Sequence, residues 1–415
     1  MDVTAVRGYA LSSPIEPVQE RPFHGGTRRL LKRDVVLVVV ETAAGYRGFA
    51  TAGASSSAMR EYFEGDSQGT FADVMTETVA EALIGSSIQD ITEAHAAIIE
   101  TDLPPRLQTE AISAIDVALH DIRGKEVGAP VYELLAERFD TSPNTEMPLY
   151  ASAGMYMEPS GYVEQARTLE ELGFFGYKYR PGIGPAGDRE TVERLIEATD
   201  EMEIMLDVHT WWKLEEAYGF ETVTELVTHA ADRGAYWIEE PVEPDDYEGY
   251  IDLAASGAPL AGGESEPTPE GLLDLARTNA VDFLQGDVRH HEGFTGCLDA
   301  VEYCRGRPVE FVPHNFGTWF GLLANAHLVA AAPEVSLLEY PVFEGDPVLD
   351  AALSGDPDPG MYPFDLAFDI LADTPAIKDG QLTLSDEPGL GIDVDLDVIE
   401  DYPFVEGPWT EFHYD

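Results

Sequence analysis

The chain has 415 residues, in which 78 Asp and Glu outweigh 24 Lys and Arg for a formal net charge of −54 at neutral pH. A field of that sign repels phosphate backbones and anionic lipid surfaces, which argues against nucleic-acid binding and against a polybasic membrane contact. With 44% hydrophobic residues, 18 Phe, 18 Tyr and 5 Trp, the acidity does not signify disorder. The surface reads instead as halophilic, because self-repulsion of this size is screened where the Debye length falls to about 3 Å, at molar salt.

The opening MDVTAVRGYALSS has neither a basic leader nor a long apolar core, and no run of about 18 apolar residues follows. A cytoplasmic, soluble protein is expected. Residues 1–140 read as an α+β capping domain, with an alternating strand at 35–49 (VVLVVVETAAGYRGF) ahead of helical patterns at 72–84 and 108–123. From 141 to 345, eight short apolar runs alternate with amphipathic stretches: MPLYASAG, FGYKYR, EIMLD, YWIEE, PLAGGE, VDFLQGD, VEFVPH and SLLEYP. Units of roughly 25 to 30 residues predict an α/β fold, a parallel (β/α)8 TIM-like barrel. Cys297 and Cys304, seven apart in a helical pattern, form neither a disulfide framework nor a metal knuckle and read as small buried hydrophobes. Residues 346–415, rich in Asp, Pro and Gly, are expected to pack back on cap and barrel.

In such a barrel the side chains at the C-terminal strand ends point into the mouth, where catalytic groups sit. Those ends carry Lys178 and Arg180, then Asp207, Glu239, Glu264, Asp287, His314 and Glu339. Three carboxylates from adjacent strands repel one another in a low dielectric unless a cation compensates them. Asp207, Glu239 and Glu264 are therefore read as ligands of a divalent metal, and hard oxygen donors favour Mg²⁺. Asp287 and His314 end neighbouring strands, and a carboxylate on one imidazole nitrogen fixes the tautomer and raises the basicity of the other, a general acid/base pair. A satisfied structural histidine is the bland alternative. Lys178, one of few lysines in the chain, can bind a substrate carboxylate or, if desolvated, act as a base.

These motifs, in order and spacing, resemble the enolase superfamily, in the branch of mandelate racemase and the acid-sugar dehydratases. The resemblance covers most of the chain: TEAISAIDVALHDIRGKEVGAPVYELL (109–135) is similar to the helix joining cap to barrel, GYKYR to the Lys-x-Lys/Arg element, MLDVH, WIEEP and GGE to the metal ligands, and QGD with PHNFG to the Asp–His dyad. It implies Mg²⁺ on Asp207, Glu239 and Glu264, the dyad Asp287–His314, and Glu339 as the acid that hydrogen-bonds the enolate oxygen. It also implies assembly as a homo-oligomer and a small sugar-acid substrate. Arg180 stands where a second lysine base would be, and a guanidinium is a poor base, which argues against two-base racemisation. His209 falls where mannonate dehydratase-like members carry a catalytic histidine, or is simply polar on a loop.

The favoured reaction is elimination of water from a polyhydroxy acid to give a 2-keto-3-deoxy product, with His314 as the leading acid/base, Lys178 or His209 as alternative bases and Arg180 holding a carboxylate. Trp211, Trp212, His290 and His291 are candidates to face the sugar chain, and substrate length is expected to be set by cap loops at 14–30 (Phe23, His24, Arg28, Arg29) and 51–60. Hydroxy-acid racemisation or epimerisation is the second reading, and a non-catalytic metal-binding barrel the third. Lactone-forming cycloisomerisation is disfavoured, because such members are known for a lysine pair. The charge predicts that activity rises with KCl from dilute buffer towards molar salt; a rate profile highest without salt contradicts the halophilic reading.

Overall fold

The long apolar alternation at the start of the chain makes a hairpin rather than a single strand. In the computed structural model, which describes residues 1–53, 70–86, 88, 90–332, 334–353 and 360–415, β1 (Val3–Phe23) pairs antiparallel with β2 (Gly26–Thr42), and β3 (Arg47–Gly53) pairs with β2. Val35 to Val40 are all buried, as expected of strand residues covered on both faces. The long helix α1 (Pro105–Val127) packs on β2 and β3. The fit is close: a Cβ added to Gly48 would lie 2.0 Å from the Ala118 carbonyl oxygen.

Eight parallel strands follow: β4 (Glu146–Met155), β5 (Gly176–Arg180), β6 (Glu203–Asp207), β7 (Trp237–Glu239), β8 (Leu260–Gly262), β9 (Phe283–Leu284), β10 (Glu310–Phe311) and β11 (Leu338–Pro341). Each pairs with the next from β4 to β10, and β11 returns to pair with β4. The predicted α/β barrel is thus present with its eight strands at the expected runs. The later strands are shorter than their apolar runs, so Glu264, Asp287 and His314 sit in the loops just beyond β8, β9 and β10. Amphipathic helices alternate with the strands, among them α2 (Pro159–Glu171), α3 (Pro185–Ala198), α4 (Phe220–Arg233), α5 (Tyr247–Ala254), α6 (Pro269–Arg277), α7 (Gly293–Cys304) and α8 (Trp319–Ala331). Cys297 and Cys304 are buried and unpaired on α7. Among the described residues no helix is long and apolar enough to cross a membrane.

The last residues join both parts. The hairpin of β12 (Ala376–Lys378) and β13 (Gln381–Thr383) adds antiparallel to β4, and β14 (Thr410–Tyr414) adds to β2. These pairings correct the expectation of a loop at 14–30. Pairing of Gln19 to Phe23 with Gly26 to Leu30 on one side, and of β14 on the other, satisfies the backbone of this segment as strand. Only His24 and Gly25 turn. The tip seats on barrel loops: the His24 ring nitrogens lie 3.1 Å from the Gly182 carbonyl and 2.8 Å from that of Glu216, and a Cβ on Gly25 would collide with the Glu215 carbonyl. Phe23 packs edge-on against Tyr156 and Phe412, and Arg29 pairs with Glu411. In the second expected loop, residues 54–60 lie outside the described residues.

His327 on α8 shows how cap, barrel and tail are tied. Its Nδ1 accepts from the Tyr132 amide at 3.1 Å, so its Nε2 donates to the Leu390 carbonyl at 2.9 Å, a pattern only neutral imidazole satisfies. Burial pushes its pKa down to about 4, whereas unfolded histidine titrates near 6.5. The unfolded chain therefore binds the extra proton between those values, and the contribution, full above pH 6.5, is lost as pH falls towards 4. The difference in unfolding free energy between wild type and His327→Gln should shrink by a few kcal/mol across that window. A difference independent of pH contradicts this.

Candidate active site at the barrel mouth

Alternation along β5 sorts GYKYR into two sets. Tyr177 turns towards α2, donating to Gln165 at 2.7 Å, while Lys178 and Arg180 turn to the mouth. There Lys178 Nζ lies 2.7 Å from Glu239 Oε1 and 2.8 Å from Glu339 Oε1, with all three side chains fully buried. Against its burial, the two carboxylates hold the lysine above its usual range. Glu239 is pushed up to about 8, first by burial and then by Asp207, Glu264 and Glu339 crowding it despite Lys178. Those carboxylates therefore feel one another in a single cluster. Gln285 and Trp237 both donate to the other Glu239 oxygen, at 2.8 and 3.1 Å.

Asp207, at the end of β6, is gripped from two sides: His209 Nδ1 stands 2.5 Å from Oδ1 and Arg180 Nε 3.1 Å from Oδ2. Against burial, the two keep Asp207 below the usual carboxylate range, while burial lowers His209. Arg180 also reaches Ser152 and lies over the ring of Phe316, 4.5 Å from its centroid.

His314 bridges two acids. Its Nδ1 is 3.0 Å from Asp287 Oδ2 and its Nε2 2.9 Å from Glu264 Oε2. Despite burial these carboxylates hold its pKa well above the ordinary histidine value, so His314 is a proton carrier in this arrangement. Asp287 is itself held well below its usual range against burial, chiefly by Arg289. Arg289 grips both oxygens, Nε at 3.1 Å and Nη2 at 2.5 Å, and Asn325 on α8 adds a third donor at 3.1 Å. Glu339 Oε2 accepts from the Asn315 amide at 2.8 Å and from the Tyr150 hydroxyl at 3.3 Å.

Thus the structure gathers all nine residues singled out at the strand ends and their loops. It brings in others that the sequence reading passed over: Arg289, Asn325, Gln285, Trp237, Tyr150 and Phe316. Gln285, Trp237 and Phe316 stand inside the QGD, WIEEP and PHNFG motifs, and Arg289 two residues past Asp287, so proximity in sequence was an available signal for these four. Tyr150 stands in the first strand run, MPLYASAG, away from its C-terminal end, and Asn325 had no such signal. The expectation for the aromatic and histidine pairs is corrected. Trp211 is buried and donates to Asp188, Trp212 donates to the Glu240 carbonyl, His290 pairs with Glu110, and His291 accepts from the Asp287 amide. The indole N–H groups of both tryptophans, both ring nitrogens of His291 and Nδ1 of His290 are thus engaged inside the protein.

Oδ2 of Asp207, Oε2 of Glu264 and Oε1 of Glu339 are buried and accept no well-angled hydrogen bond, although each faces a cation. Lone pairs on clustered buried carboxylates suit a hard divalent ion. Among the described residues no three His, Cys, Asp or Glu side chains are disposed around one point to hold an ion. The cationic side chains take up the carboxylates one by one.

The sequence pattern of the mandelate racemase / muconate lactonizing enzyme N-terminal domain matches residues 12–136, and that of the enolase C-terminal domain-like family matches residues 161–398. The chain belongs to the enolase superfamily. Within it, this member is 27% identical to D-galactarolactone cycloisomerase of Agrobacterium fabrum, over 97% of this chain and 99% of that one. It is 26% identical to D-xylonate dehydratase of Haloferax volcanii and 28% to arabinonate dehydratase of Saccharolobus solfataricus, over 72% and 70% of this chain and 70% and 71% of theirs. A solved enolase superfamily member from Polaromonas sp. JS666 superposes with a TM-score of 0.79 at 25% identity, covering 98% of this chain and 99% of that one. A magnesium complex from a marine actinobacterium superposes at 0.75 and 23%, covering 97% and 99%.

The shared lysine gives a direct prediction. Lys178→Met leaves Glu239 and Glu339 buried without their common cation, and breaking a buried pair from one side typically costs about 3–5 kcal/mol. Urea unfolding in molar KCl should show a loss of that order; an unchanged midpoint contradicts the central place given to Lys178.

Proposed function

We propose that this enolase superfamily enzyme is a Mg²⁺-dependent dehydratase of sugar acids that works in a salt-rich cytosol. The observation that carries the reading is the meeting, at one barrel mouth, of a buried carboxylate cluster, in which oxygens of Asp207, Glu264 and Glu339 accept no well-angled hydrogen bond, and an imidazole held between Asp287 and Glu264. Asp207, Glu239 and Glu264 would hold the metal, whose charge makes loss of the proton next to a substrate carboxylate feasible near neutral pH. The residues do the rest. Arg289 and Asn325 fix Asp287, Asp287 fixes the His314 ring, and Nε2 of His314 presents the proton that a departing 3-hydroxyl needs. Lys178 and His209, from β5 and the loop after β6, are the candidates to take the α-proton. Arg180, spent on Asp207, offers charge and not basicity. The dehydratase relatives support this choice of reaction, and the Haloferax volcanii relative supports the halophilic reading of the surface.

A second reading has its own support: a relative matched along nearly the whole chain is a cycloisomerase, and in such a reaction intramolecular addition would take place where water would otherwise leave. The two part on products. Aldonic and aldaric acids incubated with Mg²⁺ in molar KCl should yield 2-keto acids, and His314→Asn should lower that rate by about 10²- to 10⁴-fold. Consumption of a lactone without water loss would favour cycloisomerisation. Exchange of the α-hydrogen in deuterium oxide without either change would favour racemisation, and full activity of His314→Asn would overturn the assignment of His314.

A further inference from the structure

In a chain with 78 acidic residues, most of the described lysines and arginines have a carboxylate within ion-pair distance. Among the described lysines and arginines, only Arg28 and Arg33 are both withdrawn from full exposure and without an acidic side chain in ion-pair distance. Arg28 has other partners: its Nε donates to Thr410 at 3.1 Å and its Nη1 reaches the Tyr156 hydroxyl at 3.4 Å. Arg33 has rings. Its Cζ lies 4.9 Å from the centroid of Trp409, 5.7 Å from Phe364 and 5.8 Å from both Phe316 and Tyr362. Its buried Nε donates to nothing among the described residues. Such contacts hold a guanidinium in place while leaving its donors unspent.

Position decides what could take those donors up. Phe316, two residues past His314, also carries Arg180 on its ring, and its carbonyl accepts from Arg289. Tyr362 follows Met361, whose sulfur is 3.6 Å from Arg180 Nη1. Arg33 belongs to cap strand β2, yet it shares the ring of Phe316 with the arginine that grips Asp207. The cap therefore presents an uncompensated guanidinium fork at the edge of the candidate site.

We propose that Arg33 receives an anionic group at the end of the substrate remote from the reacting carboxylate, so that the enzyme acts on aldaric diacids in preference to aldonic monoacids. This deepens the sugar-acid reading and rests on it. The far end of an aldonic acid is a hydroxymethyl group, which needs no cation, whereas a carboxylate matches a guanidinium in a bidentate pair. A protein of net charge −54 also repels a dianion more than a monoanion, so a diacid requires a further local positive charge. Partial burial among these rings lowers the local dielectric and strengthens such a pair.

The test is titration calorimetry of the Mg²⁺-loaded protein in molar KCl with glucarate against gluconate and galactarate against galactonate, acids that differ only in their far end. Wild type should bind at least one diacid about tenfold or more tightly than its monoacid, and Arg33→Met should weaken that diacid about tenfold more than the monoacid. Arg33→Lys, which keeps the charge and loses the fork, should fall between and serves if Arg33→Met does not fold. Equal affinity for both members of each pair, no binding of either diacid, or equal weakening by Arg33→Met overturns the proposal. Discrimination in binding with no 2-keto acid formed would sink the dehydratase reading and leave Arg33 its role; turnover without discrimination would do the reverse.

Discussion

Everything at the barrel mouth follows from the repulsion among carboxylates on successive strand ends. Asp207, Glu239, Glu264, Asp287 and Glu339 come from five of the eight strands or their loops and are largely or wholly removed from water. Such a set is tolerable only where positive charge interleaves with it. The chain supplies that charge from β5, the loop after β6 and the loops after β9 and β10, so Lys178, Arg180, His209, Arg289 and His314 are as much part of the architecture as the acids. The same constraint leaves oxygens of Asp207, Glu264 and Glu339 facing cations with no well-formed hydrogen bond. Charge opposes charge there without the geometry of a finished structural ion pair.

The cap aligns this mouth through a second set of buried acids, on α1. Glu110 pairs with Arg106 and His290, Asp116 accepts from the Phe294 amide and the Thr295 hydroxyl at the start of α7, and Asp121 accepts from the Leu390 amide of the tail. Two of these three anchor the stretch from Asp287 to α7, the same stretch that carries Arg289. The register of the Asp287–His314 pair thus depends on a helix whose apolar residues, Ala111, Ile112, Ile115, Ala118 and Ile122, are buried with the cap. Core packing and the placement of the Asp287–His314 pair share one element.

Much of this was legible in the sequence because the barrel repeats a local signal. Each strand is a short apolar run whose final polar residue stands at the mouth, and periodicity alone locates Lys178, Asp207 and Glu239. Contacts that join distant segments were not legible. Arg33 meets Phe316, Tyr362, Phe364 and Trp409, partners scattered over the second half of the chain, and Asn325 reaches Asp287 from a helix that reads as featureless core. The hairpin of β1 and β2 was hidden for another reason: its polar, Pro-bearing stretch around 14–30 has the composition of a loop, and pairing of its two arms with each other, together with β14 from the far end of the chain, makes it strand. Charge composition showed the surplus of acid but not which two of the less exposed arginines it fails to reach.

The central claim is that Asp207, Glu239 and Glu264 together bind one divalent cation. Titration with Mn²⁺ in molar KCl, followed by electron paramagnetic resonance, tests it most directly, since high salt suppresses diffuse binding to the acidic surface. One tight site per chain in wild type, abolished in Asp207→Asn and in Glu264→Gln, is the result predicted. A site that survives both substitutions, or no site at all in wild type, would contradict it.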